Sequence, residues 1–447
     1  KGPMQISTNI LAFVFVLSFL IFFHELGHFL VARLFKFPIE VFSIGFGKRL
    51  FGFKRNGTDY RISLVPLGGY VKIIGLGPDE SDVVAGEEAP PAMRGTRWQR
   101  FLVLLAGPMV NLVLALLLTA GAFAIGMAVP KYADEKPVVK HVDTGSPAEK
   151  AGIRVDDVVV ALSGKPVTTW REVETHLGLA PRAEIPVVLE RAGEKVSVVI
   201  RPEPQTKYDI GYTGLNPFLA PVIGTLVKGY PGDKAGLQVG DRIVSIGGVA
   251  VEGYFEVVRR VREASKDFGA DGAKPIAFEI ERAGQRLAIE VTPRLEGGSW
   301  RIGFTPKYEL VKKKMPFLAA IGASWKENLR QTAAVGQTVK RMFSGSGSIR
   351  QLSGLVDIAK FSGEAVRTGA AALLGFMGLL SLQLGLLNLL PIPLLDGGQL
   401  FILTIEGMVR GDFSVRFKER LLQAGFVFLV LLMVSVLAFD IAKNLGF

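Results

Sequence analysis

Charged residues avoid four long stretches of this chain. Gln5–Phe23 carries none, and after His24 and Glu25 the apolar run resumes through Leu30. Phe101–Val129 is uncharged and stops before Pro130 and Lys131. Thr368–Leu395 is uncharged but interrupted by Pro391 and Pro393, and Leu421–Phe439 is uncharged near the end of the chain. Roughly 20 apolar residues suffice to cross a bilayer as a helix. The pattern predicts membrane-spanning helices over 5–34, 101–129, 368–395 and 421–440. Around the second and third spans the period changes. Alternating strands with Gly turns are expected at Val187–Ile200 and Ile276–Val291, and an amphipathic basic helix over 315–345, either on the membrane surface or packed on the neighbouring module. Tyr60–Gly75 reads as a hairpin of Arg61–Val65 and Tyr70–Ile74 about a turn at Pro66–Gly69.

The long segment between spans two and three is duplicated. Ser146-Pro147-Ala148-Glu149-Lys150-Ala151-Gly152-Ile153-Arg154-Val155-Asp156-Asp157 aligns without a gap on Tyr230-Pro231-Gly232-Asp233-Lys234-Ala235-Gly236-Leu237-Gln238-Val239-Gly240-Asp241. Each copy continues as a strand, a Gly turn, a short strand, a helix and a strand pair. The pattern resembles a PDZ domain of the circularly permuted type, with Asp156 where Gly is usual. Two α+β modules are expected, over 131–204 and 216–310. PDZ domains take extended peptides by strand addition. Peptide binding and steric gating are both open for these two.

Composition sharpens this organisation. The 447 residues are 49% hydrophobic and 21% charged, unremarkable as means. The segregation excludes disorder, collagen and a disulfide scaffold. With no cysteine there is no disulfide and no thiolate metal ligand. The net charge of +11 is partly topological. Arg33, Lys36, Lys48, Arg49, Lys54, Arg55 and Arg61 follow span one, and Arg410, Arg416, Lys418 and Arg420 lie between spans three and four. The positive-inside rule places both loops in the cytoplasm and the duplicated segment on the far side. No basic stripe with interleaved aromatics marks a nucleic-acid surface, so no nucleic-acid partner is expected. The charged motif within span one and the basic loop after it argue against a cleaved signal peptide. Lys1-Gly2-Pro3 before Met4 reads as an expression remnant.

Span one ends in Phe23-His24-Glu25-Leu26-Gly27-His28. On a helix, residues four apart share a face, so His24 and His28 can reach one metal. Glu25 is placed to take a proton from water that the metal activates. Ionisable residues inside an apolar span are costly and mark function. Catalytic zinc usually takes three protein ligands. The other histidines, His141 and His176, fall in the first module. The third ligand is therefore expected to be a carboxylate near span three. Asp396, in Asn388-Leu389-Leu390-Pro391-Ile392-Pro393-Leu394-Leu395-Asp396-Gly397-Gly398, is the sole acid between Glu364 and Glu406.

These two motifs together resemble the site-2 protease family of intramembrane zinc metalloproteases. Phe42–Gly47, Pro66–Lys72 and Ala106–Asn111 also match it. Leu352–Ile358 departs from the family, which has Pro after Ser-Gly and Gly before Ile there. The resemblance implies a polytopic α-helical membrane protein of four spans, a metalloprotease core with a membrane-reentrant hairpin (60–75) in the loop over 35–100, and two PDZ domains. It implies one zinc held by His24, His28 and Asp396, with Glu25 as general base. It also implies transmembrane substrates, cut near the cytoplasmic side: an anti-sigma factor after a first trimming cleavage, and remnant signal peptides. Asn388, Gly68, Gly69 and Tyr70 are the expected substrate contacts. The setting would be a bacterial inner membrane, with the PDZ domains periplasmic and with lipid and PDZ-bound peptides as further partners. Two other classes compete. One is a PDZ-bearing scaffold or chaperone with a non-catalytic metal site. The other is a transporter, which lacks a matching broken helix in a second repeat half.

Overall fold

The computed structural model describes residues 3–76, 95–205, 210–268, 272–296, 299–343 and 354–445. The first two residues of the expected remnant, part of the loop over 35–100, the last residues of the 315–345 helix, and Leu352 and Ser353 lie outside them. The chain forms two compact units. The first comprises Lys1–Met127 with Lys312–Phe447, and the second Ala128–Val311.

In the first unit, α1 (Pro3–Leu34) leads into two long strands, β1 (Ile39–Arg55) and β2 (Thr58–Ile73), followed by α2 (Arg97–Ile125). After the second unit come α3 (Phe317–Phe343), α4 (Leu355–Thr368), α5 (Ala370–Asn388), α6 (Asp396–Val409) and α7 (Val415–Leu445). Among the described residues, four helical stretches are long and apolar enough to cross a membrane: Ile6–Leu34, Arg97–Ile125, Ala370–Asn388 and Arg416–Ala438. The third apolar stretch is not one helix to Leu395. It stops at Asn388, because Pro391 and Pro393 remove two backbone donors, and a new helix starts at Asp396.

Between lipid-facing helices, burial supplies little drive, so close packing holds them together. α1 and α2 meet at glycines. A Cβ on Gly27 would lie 2.6 Å from the Ala106 carbonyl oxygen, and one on Gly107 would lie 2.2 Å from His28 Nε2. Val16, Leu20, Leu114, Leu118 and Met377 fill the seam of α1, α2 and α5. A second cluster of Phe29, Ala32, Phe37, Ile39, Phe42, Ile73 and Val103 ties the end of α1 to the sheet. The amphipathic helix α3 packs along α2. Ser324, fully buried, donates to the Leu116 carbonyl at 2.7 Å, and Met315 N–H donates to Phe123 at 3.1 Å. Neither alternative expected from the sequence, the membrane surface or the neighbouring module, names α2 as the partner.

The sheet corrects the expected hairpin. Arg61–Val65 does not pair with Tyr70–Ile74. Phe42 lies opposite both Tyr60 and Val71, and Ile44 opposite both Ile62 and Gly69. The segment 41–46 therefore lies between the two stretches thought to be partners. Beyond a bend at Gly45 and Gly47 (φ +88° and +85°), β1 also pairs on the outer side, Phe53 with Tyr60 and Arg55 with Thr58. The order is 49–55, 58–63, 41–46, 69–73. The tight turn is Asn56-Gly57, with φ of 50° and 84°. Asn-Gly is the strongest short hairpin signal because both central residues need positive φ. Alternation identifies strands but not their partners, which the Asn56-Gly57 turn decides here.

The second unit holds two copies of one α+β arrangement. The first sheet runs in the order 165–166, 158–162, 185–191, 194–200, beside a helix at Trp170–Gly178. The second runs 249–250, 242–246, 276–282, 285–291, beside Tyr254–Ala264. Trp170, Leu189 and Ile200 are core residues of the first, and Ile243, Phe278 and Val291 of the second. A buried acid recurs at matching places. Arg191 Nε donates to Asp157 Oδ1 at 2.7 Å, and Arg282 NH2 to Asp241 Oδ2 at 2.7 Å. Burial alone raises the pKa of each carboxyl. The arginine and one backbone N–H outweigh it, so both lie below the usual range. Asp156 adopts φ +70° where the second copy has Gly240 at +97°. Aspartate tolerates this left-handed region better than most residues, so the turn survives without glycine.

Candidate metal centre

His24, Glu25 and His28 project from the last turns of α1, and Asp396 opens α6. His24 Nε2 lies 3.1 Å from Asp396 Oδ2, His28 Nε2 lies 3.5 Å from Asp396 Oδ1, and the two Nε2 atoms are 3.2 Å apart. A tetrahedral zinc with bonds of about 2.0–2.1 Å needs donors about 3.4 Å apart. The two imidazole nitrogens each face a different oxygen of Asp396, and one ligand atom from each residue lies within 4.8 Å of the others, close enough for all three residues to hold one such ion. His24, His28 and Asp396 are the one such cluster among the described residues. Its donor set of two imidazoles and a carboxylate suits zinc.

The donors are held from outside the triangle. His28 Nδ1 is 2.8 Å from the Val103 carbonyl oxygen, which accepts its proton and leaves Nε2 bare. Asn111 Nδ2 lies 3.1 Å from His24 Nδ1. Leu394, two residues before Asp396, has φ +88°. A bulky residue there is a genuine outlier, and such strain is found where a site needs a fixed geometry. The far end of α6 is fastened too. Buried Glu406 accepts from Lys418 Nζ at 2.7 Å and from Phe413 N–H at 2.8 Å.

A cavity of about 120 Å³ adjoins the triangle, lined in part by His24, Glu25, His28, Gly69, Tyr70, Val71, Asn388 and Asp396. Val71 N–H donates to Glu25 Oε2 at 3.1 Å. Asn388 Nδ2 lies 3.3 Å from His24 Nε2. Of the expected substrate contacts, the structure thus brings Asn388, Gly69 and Tyr70 to the cavity. Gly68 is not among its lining residues. It sits against the ring of Phe46, which a Cβ would meet at 2.4 Å. Val71, Val103 and Asn111 were not singled out as site residues from sequence. Backbone groups carry no sequence signal, and a lone Asn in an apolar span reads as packing.

Residues 12–432 match peptidase family M50. The chain belongs to peptidase family M50. The regulator of sigma-E protease RseP of Salmonella typhimurium is 31% identical over 474 residues, spanning 98% of this chain and all of that protein. Its namesake in Escherichia coli is 30% identical over 470 residues, 97% of this chain and 98% of the relative. A solved PDZ domain, from the SdrC-like protein of Listeria monocytogenes, covers 20% of this chain and 90% of its own at 15% identity. Its TM-score of 0.17 carries no weight. As an M50 peptidase the chain is a zinc-dependent protease of the membrane. The hydrolase reading drawn from the two motifs holds, and the scaffold and transporter readings fall away as descriptions of the family.

Proposed function

We propose that the chain cleaves transmembrane segments within a bacterial inner membrane, using one zinc held by His24, His28 and Asp396 with Glu25 as general base. The observation that carries this is the donor triangle of 3.1–3.5 Å beside a carboxylate at the end of an apolar span. When bound, zinc supplies Lewis acidity, lowering the pKa of water and polarising a peptide carbonyl.

The chain's own groups supply the rest. Val71 N–H orients Glu25, whose carboxylate takes the proton from attacking water and returns it to the leaving amine. A helix hides its peptide groups in hydrogen bonds, so a transmembrane substrate must unwind before hydrolysis. Among the described residues, segment 69–73 is an edge of the sheet, and it lies along the cavity. An unwound stretch added there would exchange its helical bonds for ladder bonds. Asn388 borders the donors and can bond a substrate backbone group. The cavity is well below the roughly 300–1,000 Å³ of ligand clefts, so it must widen to admit peptide.

The depth of the sheet supports its re-entrant reading. Ser18 Oγ donates to the Pro66 carbonyl at 2.6 Å. Ser18 precedes His24 by about 9 Å of helix rise, toward the middle of span one. The Pro66 carbonyl at that depth needs such a partner, since hydrocarbon offers none.

The finer assignments rest on kinship with RseP. The substrates are anti-sigma-factor-like proteins already trimmed on the far side, and leftover signal peptides. The two repeated modules are PDZ domains on the periplasmic side that exclude untrimmed substrates, and the site lies near the cytoplasm. Purified protein should carry one zinc per chain and cut a single-span substrate. A preparation that holds no zinc and cuts no membrane substrate would overturn the proposal.

A further inference from the structure

α2 presents one face to both histidines. Val103, Gly107 and Asn111 recur every four residues and so stack on one side of the helix. The Val103 carbonyl accepts from His28 Nδ1, and Gly107 leaves room for the His28 ring. Asn111 completes the row. It is fully buried, and its amide lies 3.1 Å from His24 Nδ1. Nδ2 faces that nitrogen, while Oδ1 is buried with no hydrogen-bond partner among the described residues.

That arrangement conflicts with ligation. An imidazole that offers Nε2 to a metal carries its proton on Nδ1, and that proton needs an acceptor. Nδ2 against a protonated Nδ1 sets donor against donor. Turning the amide by 180° exchanges two groups of nearly equal shape and removes both faults. Oδ1 then accepts from His24 Nδ1–H and is no longer orphaned. Ser381 Oγ donates to the Asn111 backbone carbonyl at 2.8 Å, which fixes this residue from α5 as well.

We infer that Asn111 is a positioning residue for the metal centre: its side-chain oxygen accepts the Nδ1 proton of His24 and locks the tautomer whose Nε2 lone pair faces Asp396. The two histidines then have matched outer partners from one helix face, a backbone carbonyl for His28 and an amide oxygen for His24. The inference rests on the reading of His24 as a zinc ligand.

The test measures zinc affinity by chelator competition in the detergent-solubilised full chain, for Asn111→Leu, Asn111→Asp and His24→Ala, with a thermal melt of each apo-protein. Asn111→Leu removes the acceptor and should weaken zinc about 10–100-fold. Asn111→Asp keeps an acceptor oxygen and should bind within a few-fold of wild type, although a buried carboxylate should lower its melting temperature more than Leu does. A residue that only packs would give the opposite order, with Leu retaining zinc better than Asp. That order, or unchanged affinity in Asn111→Leu, overturns the inference while His24→Ala still loses zinc. If His24→Ala binds zinc like wild type, the ligand assignment fails and the inference with it.

Discussion

His24, His28 and Asp396 are each fixed by a neighbour that is not itself a ligand. Val103 and Gly107 of α2 hold His28, Asn111 of the same helix meets His24, and the strained Leu394 lies two residues before Asp396. Preorganisation of this kind makes a ligand costly to lose. Asp396→Ala should weaken zinc by more than the roughly 10–100-fold that loss of an outer partner costs. Equilibrium dialysis checks this, and near-normal affinity would exclude Asp396 as a ligand. At this scale the sequence was informative where chemistry needs rare residue types at fixed spacing. His24, Glu25 and His28 follow from one helical repeat, and Asp396 from its isolation among apolar residues. Gly68 lies against Phe46 rather than along the cavity, because a glycine beside a strand edge carries no sign of which way its neighbours face. Asn111 was legible only as part of a motif. Its proximity to His24 depends on how closely α1 and α2 approach.

The elements that frame the site are two helices in glycine-mediated contact and a sheet wedged beside them. Spans and strands were readable from period and charge. The sheet's order was not, because register depends on a bend at Gly45 and Gly47 and on contacts with α1. Ser18 is where that sheet is tied at depth. Ser18→Ala strands the Pro66 carbonyl, and a hydrogen bond of about 1–1.5 kcal/mol is lost. Cleavage of a transmembrane peptide should fall about 5–10-fold while zinc content stays constant. Unchanged cleavage would mean the tether does not position the edge strand. A fall in zinc content would mean that Ser18 acts on the metal centre instead.

For the whole molecule, the duplication legible in the sequence recurs as two copies of one sheet order within an inserted unit. If these copies act as a size filter, deleting Val138–Thr292 should let untrimmed substrate be cut. Continued dependence on trimming in that variant would dismiss the filter. The inserted unit also has a defined acid limit. Asp157 and Asp241 titrate below their ordinary value near 3.9 because each is paired with an arginine. A depressed carboxyl pKa gives stability that is complete above the unfolded value and is lost as pH falls through the folded one. Thermal melts should therefore show no contribution to pH dependence from these pairs between pH 5 and 7, and a decline beginning below about pH 4. Replacing Arg191 and Arg282 by Gln should lower the melting temperature at pH 7 and flatten that decline. An unchanged acid limb would show that the pairs do not set it.

If this fold hydrolyses a peptide bond inside the membrane, Glu25 is the group that moves the proton. The direct measurement is cleavage of a tagged single-span substrate by wild type and Glu25→Gln, with zinc quantified in both. Cleavage should be lost in the variant, by about 10³-fold or more given the typical weight of a positioned base with a role in two steps, while zinc remains at one per chain. A Glu25→Gln protein that still cuts at the wild-type rate would contradict the account.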